Sequence, residues 1–241
     1  MFCPSAVRRI EITAQLIDHF RLEGILGATQ AYSTDRYNKM ETKTDRPARG
    51  RPKTLDRDHL LQIAMTAYWA DGPTAVSVNE ICRRAGVSKP GLYREFSSED
   101  GLKRAALEAY QTTILAPLKD ILTSDQPFDQ ALESLIKFVL LDHKAHGLPD
   151  GCLHVSMCHN RDELGPLTQN GVDAFRKQTL TGFENWIDRA KSNRQFKPEI
   201  STPAAALYID AQIASVMGLQ KQGVANDMME DVLRLALSVF V

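Results

Sequence analysis

The chain has 241 residues, 43% hydrophobic and 24% charged, a composition that excludes a disordered or collagen-like polymer and suits one or two packed domains. Its 29 Lys and Arg against 30 Asp and Glu leave a formal charge of −1. Taken whole, that balance excludes a protein coated evenly with positive charge for wrapping nucleic acid.

In chain order, the first periodic stretch is 10–26, weakly amphipathic through Ile10, Leu16, Ile17, Phe20 and Leu26. From Thr29 to Arg51 the chain is polar and aperiodic, ending in the basic run Arg46-Pro47-Ala48-Arg49-Gly50-Arg51-Pro52-Lys53, which reads as a flexible arm. Met40 lies within it and is expected as the natural start, with a genuine accessory helix over 10–26 as the alternative. Leu60, Ile63, Ala64, Ala67 and Tyr68 follow a helical period that Asp71-Gly72-Pro73 stops. Ser77 is an N-cap for a short helix over Val78–Ala85, with Glu80 as its capping-box partner. Gly86 breaks that helix, and Ser88 caps the next, Lys89–Phe96. Ser98 caps a long helix from Glu99 to about Ile121, bent at Pro117. Further helices are predicted at Phe128–His146, Cys152–Glu163, Pro166–Ser192, Pro203–Gln222 and Asn226–Val241. No alternating strand and no internal repeat is found, so the fold class is all-α.

The four cysteines, Cys3, Cys82, Cys152 and Cys158, include no C-x-x-C pair and make no disulfide framework. The most apolar runs, Leu135–Leu141 and Ala204–Leu219, are too short or are interrupted by Asp210 and Gln212. A reduced, cytoplasmic protein with no membrane partner is therefore expected. Phosphate-loop, dinucleotide and H-E-x-x-H signatures are absent, and neither an enzyme nor a cofactor is expected.

The small net charge conceals a segregation. Residues 1–45 hold 6 basic and 6 acidic side chains, residues 46–104 hold 11 and 7, and residues 105–241 hold 12 and 17. Phosphate backbones attract the middle part, at +4, and repel the last, at −5.

That basic part contains the most informative stretch, Ser77 to Phe96. Two short helices joined by a Gly-containing turn form a helix-turn-helix, whose second helix can enter the major groove. Ile81, Ala85, Val87, Leu92 and Phe96 can pack on Ala64 and Tyr68, leaving Ser88, Lys89, Gly91, Tyr93 and Arg94 on the opposite side. Lys89 and Arg94 are cationic donors, and the hydroxyls of Ser77, Ser88 and Tyr93 can bond phosphate oxygens. Gly91 permits close approach to a base or phosphate.

These residues resemble the TetR family of transcriptional regulators. The likeness covers about Arg49–Leu107: the Ala-rich first helix, Ser77-Val78, Ile81 through Ala85-Gly86-Val87-Ser88, Leu92-Tyr93 with Phe96, and Leu102. It implies a three-helix helix-turn-helix DNA-binding domain at 49–104, preceded by an extension at 1–48 and joined to a helical effector-binding and dimerisation domain at 105–241. The implied protein is a ligand-responsive repressor, bound as a homodimer to a near-palindromic double-stranded DNA operator. Its DNA-facing set is Arg49, Arg51, Lys53, Ser77, Ser88, Lys89, Gly91, Tyr93, Arg94 and Lys103. The two C-terminal helices would form the dimer face, and Phe138, Leu141, Met157, Phe175 and Phe183 would line the cavity of an unknown small-molecule effector. Two departures stand out: Glu95 replaces a frequent His, and Glu99, followed by Asp100, replaces a frequent Lys. Phosphate affinity is expected to fall there, with Lys103, Arg104 and the Arg49–Lys53 arm compensating.

Four of the six histidines and two cysteines fall between His143 and His159. His154 and Cys158 share a helix face and are weak metal candidates, although the spacing matches no established metal motif. The alternative readings are therefore a metal- or thiol-sensing protein using this cluster, or a small-molecule binding module with weak operator affinity.

Overall fold

The computed structural model describes residues 55–240. The expected 10–26 helix, the Met40 start and the arm bearing Arg49, Arg51 and Lys53 lie outside the described residues. Every regular element among the described residues is helical.

The first three helices, α1 (Arg57–Asp71), α2 (Val78–Ala85) and α3 (Lys89–Phe96), form a head, and α4 (Glu99–Thr113) runs out of it. Their starts are fixed by side chains that accept otherwise orphaned amides. Asp56 Oδ1 takes the His59 amide at 3.0 Å, Ser77 Oγ that of Glu80 at 3.2 Å, Ser88 Oγ that of Gly91 at 3.2 Å, and Ser98 Oγ that of Gly101 at 2.9 Å. Each cap contributes about 1 kcal/mol. Gly86 ends α2 at φ 65°, ψ 30°, a left-handed conformation open to glycine at no steric cost. The expected reciprocal half of the capping box is not formed. The Glu80 carboxylate bonds Arg83 and Arg84 instead, at 2.6–2.8 Å.

Leu60, Ala64 and Tyr68 of α1 meet Ile81, Leu92, Phe96 and Leu102 in one buried cluster, with Ala85 and Val87 packed partly against it. This cluster does not end with the head. It continues through Trp69 and Tyr110 to Leu148, Leu153, Met157, Leu164 and Val172. A second cluster fills the body, formed by α5 (Ala116–Thr123), α6 (Phe128–Val139), α7 (Leu153–His159), α8 (Pro166–Ser192), α9 (Thr202–Lys221) and α10 (Asn226–Leu237). At its centre Phe128 stacks on Trp186, with ring centroids 4.6 Å apart.

Four predicted boundaries move. The single helix expected from Glu99 to Ile121 is two helices, because Pro117 cannot donate to the Thr113 carbonyl and its ring would strike it; the break therefore precedes the proline. The helix expected to reach His146 stops at Val139, followed by a short 3₁₀ turn at Lys144–His146. Asn226 and Gln220 side chains, distant in sequence, bond the Leu140 and Leu141 carbonyls at 3.1 and 3.2 Å. The helix expected over Cys152–Glu163 ends at His159, where the Asn160 amide side chain takes the Ser156 carbonyl at 2.8 Å. The last helix stops at Leu237 and tightens into a 3₁₀ turn, Ser238–Phe240.

Head and body are joined through α4. Asp100 reaches from its first turn to the start of α8, accepting the amides of Leu167 at 2.8 Å and Thr168 at 3.0 Å and the Thr168 hydroxyl. A negative side chain is thereby placed at the positive end of a 27-residue helix. Gly165 makes room for it, since a Cβ there would lie 2.4 Å from the carboxyl carbon. Trp69 of α1 makes a second junction, donating from Nε1 to the buried Gly151 carbonyl at 3.0 Å.

Candidate nucleic-acid interface

The exposed side of α3 carries Lys89 and Arg94, with the Arg94 side chain 73% exposed. Lys89 Nζ lies 5.7 Å from the centre of the half-buried Tyr93 ring, so the two side chains form one surface. Ser77 and Ser88 stand at the starts of α2 and α3, each exposed. Their oxygens are taken up by capping, but each hydroxyl proton remains to be donated outward. Gly91 also has a local reason to lack a side chain. A Cβ would sit 3.1 Å from Ser88 Oγ and press on the cap.

Lys103 is a correction to the expected DNA-facing set. It is only 9% exposed, its Nζ bonds Glu99 at 2.8 Å, and the charge lies 5.8 Å from the Tyr68 ring centre. A lysine held between a carboxylate and an aromatic face is not an open phosphate donor. Arg104 is partly exposed but engaged, by Glu108 at 2.8 Å and the Leu167 carbonyl at 3.3 Å. Of the three carboxylates expected to oppose phosphate, Glu99 is occupied by Lys103 and Asp100 by the start of α8, while the exposed Glu95 lies 3.8 Å from Arg94. Burial alone would raise the Asp100 pKa, but the Thr168 hydroxyl and the two amides outweigh it and hold the carboxyl below its ordinary value.

A cavity of about 70 Å³ lies in the body, walled by α4, α5, α6, α7, α8 and α9 and by the segment between α6 and α7. Phe138, Leu141, Phe175 and Phe183 line it as expected. Met157 does not: it is fully buried in the cluster continuing from the head. The polar lining comprises Tyr110, His143, Cys152, His154, Thr179 and Asp210; three of these come from the His143–His159 cluster, whereas the sequence reading missed Tyr110, Thr179 and Asp210. An open groove of about 820 Å³ shares Leu115, Leu118, Phe175 and Thr179 with the cavity.

The profile of the family described as "Bacterial regulatory proteins, tetR family" matches residues 60–106. The transcriptional repressor ComR of Escherichia coli is 30% identical over 146 residues, covering 59% of this chain and 70% of that protein. The chain belongs to the TetR family. The repressor BdcR of Escherichia coli is 31% identical over 123 residues, covering 51% of this chain and 62% of that one. Among solved structures, a cysteine-substituted TetR-family regulator CifR in complex with 26 bp operator DNA matches at a TM-score of 0.70 and 21% identity, covering 80% of this chain and all of CifR. The reduced form of Escherichia coli NemR matches at 0.67 and 17%, covering 77% and 97%. Like other TetR-family members, the chain is a DNA-binding transcriptional regulator with an N-terminal helix-turn-helix and a larger helical domain.

In this TetR-family chain the His143–His159 cluster is dispersed. His154 and Cys158 do meet, with Nε2 and Sγ 3.5 Å apart. No set of three or more His, Cys, Asp or Glu side chains positioned for a metal occurs among the described residues. Burial pushes the Cys158 thiol up to about 11 and the His154 imidazole down to about 4, which leaves a neutral thiol rather than the thiolate that metals and oxidants require. His143 packs edge-on to Trp69, with centroids 5.3 Å apart, and its Nδ1 bonds the Pro149 carbonyl at 3.1 Å. No described helix is long and apolar enough to cross a membrane.

Proposed function

We propose that the protein is a cytoplasmic, homodimeric repressor that releases its operator when a small molecule enters the body cavity. The reading helix is α3, with Lys89 and Arg94 toward DNA, Ser77, Ser88, Gly91 and Tyr93 around them, and Arg49, Arg51 and Lys53 reaching along flanking phosphates. The names of ComR and BdcR as repressors, and the operator complex of CifR, support this direction. A division near residue 104 separates the DNA-binding part from the effector-binding part.

One observation carries the ligand response. Tyr110 and His143 of the cavity wall both pack edge-on against Trp69, at 4.9 and 5.3 Å between centroids, and Trp69 belongs to α1 of the head. A molecule that displaces either ring moves the helix on which the reading helix rests. The same α4 that presents Tyr110 to the cavity begins at Glu99 beside α3. Release requires unequal binding to the two conformations, because tight binding alone shifts nothing.

Dimerisation uses the outward faces of α9 and α10. Leu207 and Tyr208 on α9, with Met228, Leu235 and Val239 on and after α10, are exposed, Leu235 to 76%. Ile209, Val216, Met217, Met229, Leu233 and Phe240 are buried within the subunit, so only part of each helix is left for the dimer face. Two reading helices then meet half-sites about 34–36 Å apart, or a multiple of that. Gel shift with DNA from upstream of the coding sequence tests the whole reading. A salt-sensitive, sequence-selective complex is expected, and its failure to form at micromolar protein would overturn the proposal.

A further inference from the structure

We propose that the cavity selects a small amine, its ammonium group against Asp210 and its apolar body among Phe138, Phe175 and Phe183. This rests on the effector reading above and names the chemical class of the effector. The cavity's lining residues are mostly aliphatic and aromatic and include no Lys or Arg. Asp210 of α9 is the one acidic side chain among them, 25% exposed. Its carboxylate accepts no hydrogen bond among the described residues. Its nearest cation, Arg176, stands 3.9 Å away, outside the lining, with a side chain 53% exposed. A carboxylate withdrawn from water without a donor is costly, and burial correspondingly pushes the Asp210 carboxyl above its ordinary pKa. An entering ammonium supplies the missing donors and a cation closer than Arg176 at 3.9 Å.

Three other polar groups of the wall, His143, Thr179 and His154, agree on the sign. The Pro149 carbonyl can only accept, so His143 Nδ1 carries the proton and Nε2 is left as an acceptor. Burial lowers the His143 pKa, which keeps the ring neutral. The Thr179 hydroxyl makes no hydrogen bond among the described residues and can accept another donor. His154 is turned to the Val172 carbonyl and the Cys158 sulfur, and offers no charge. The faces of Phe138, Phe175 and Phe183 suit a cation further, through their ring quadrupoles. A carboxylate ligand would meet Asp210 with no cation in the wall to offset the repulsion, and a neutral alcohol would lack the ion pair.

The test uses the full-length, DNA-free protein and two matched sets: butylamine, butanol and butyrate, and benzylamine, benzyl alcohol and benzoate. Thermal unfolding and calorimetric titration are expected to show the amine binding at least about tenfold more tightly than the alcohol, and no binding of the carboxylate. Asp210→Asn should fold normally and reduce amine affinity to the level of the alcohol. Equal or tighter binding of a carboxylate overturns the proposal, as does failure of both amines to bind or an unchanged amine preference in Asp210→Asn. The comparison of amine with carboxylate needs no variant and decides the matter should Asp210→Asn fail to fold. Gel shift with the binding amine separates the two readings. An amine that binds without loosening the operator complex refutes the effector role but not the ligand class; an intact operator complex with no amine binding refutes only the class.

Discussion

Between residues 55 and 104 the head carries seven basic and seven acidic side chains, and most of the charges on both sides are engaged. Glu80 holds Arg83 and Arg84, Glu99 holds Lys103, and Asp100 caps α8. The body is the more acidic part by sequence, yet its cavity wall contains a single carboxylate that accepts no hydrogen bond. The difference shows that formal charge and available charge are separate quantities. The +4 of residues 46–104 equals the contribution of Arg46, Arg49, Arg51 and Lys53, while the described head is neutral and offers on its reading helix Lys89 and the exposed Arg94, which stands 3.8 Å from Glu95. Under the proposed function, phosphate attraction falls to the arm and sequence reading to α3.

The largest expected effect comes from removing the arm's charge. Replacing Arg49, Arg51 and Lys53 together by Ala should flatten the dependence of log affinity on log salt by about 2.7, at ~0.9 for each lost phosphate contact. Lys103→Ala, which removes a lysine already paired within the head, should leave that slope nearly unchanged. Equal slopes for the triple variant and the parent protein would return the electrostatics to the head. Next in size is Lys89→Ala, expected to weaken specific binding by about 1–3 kcal/mol through loss of a base-edge contact while leaving nonspecific binding close to its parent value. Competition titration with operator and scrambled duplexes separates the two.

A third variant tests the junction between the regions. Asp100→Ala removes the acceptor of two amides and a buried hydroxyl at the start of α8, and should cost about 1–2 kcal/mol of stability. The folded-state pKa of Asp100 is lowered, so its stabilisation is fully present above the unfolded value of about 3.9 and is lost as pH falls through the lower folded value. The stability gap between parent and variant, measured by urea unfolding, should thus be full at pH 7 and narrow on acidification below about 4. A gap that stays constant with pH would place the effect in packing instead.

What the sequence made legible follows the range of the interactions. The limits of α2, α3 and α8 were read correctly because Ser77, Ser88, Gly86 and Pro166 act within one helical turn. The stop of α6 at Val139 was not legible, since the groups that take its trailing carbonyls, Gln220 and Asn226, lie 79 and 86 residues away. Four of the five apolar residues that the family resemblance puts at the cavity do line it, whereas Met157, with the same character, is core. Asp210 stood out only as an interruption of an apolar run. Its meaning depends on Arg176 failing to reach it, which no local pattern reports. Asp100 reads from sequence as a group opposing phosphate because its partner Thr168 lies 68 residues away; the Glu99–Lys103 pair is local, at i,i+4, but the Tyr68 face that buries Lys103 lies 35 residues away.

Glu99→Lys is the finest test of the contrast between paired and available charge. Were Glu99 merely a carboxylate opposing phosphate, the substitution would strengthen DNA binding and steepen the salt slope by about one contact. In the structure, however, it also places a second cation four residues from Lys103, whose Nζ now rests on Glu99 at 2.8 Å. Like charges at that spacing cost a few tenths of a kcal/mol, and the displaced Lys103 must leave the Tyr68 face or remain there unpaired. The expected outcome is a slope steeper by about one, with a slightly lowered unfolding midpoint. An unchanged slope would show that residue 99 is remote from DNA, and would leave the Lys103 pair as its whole role.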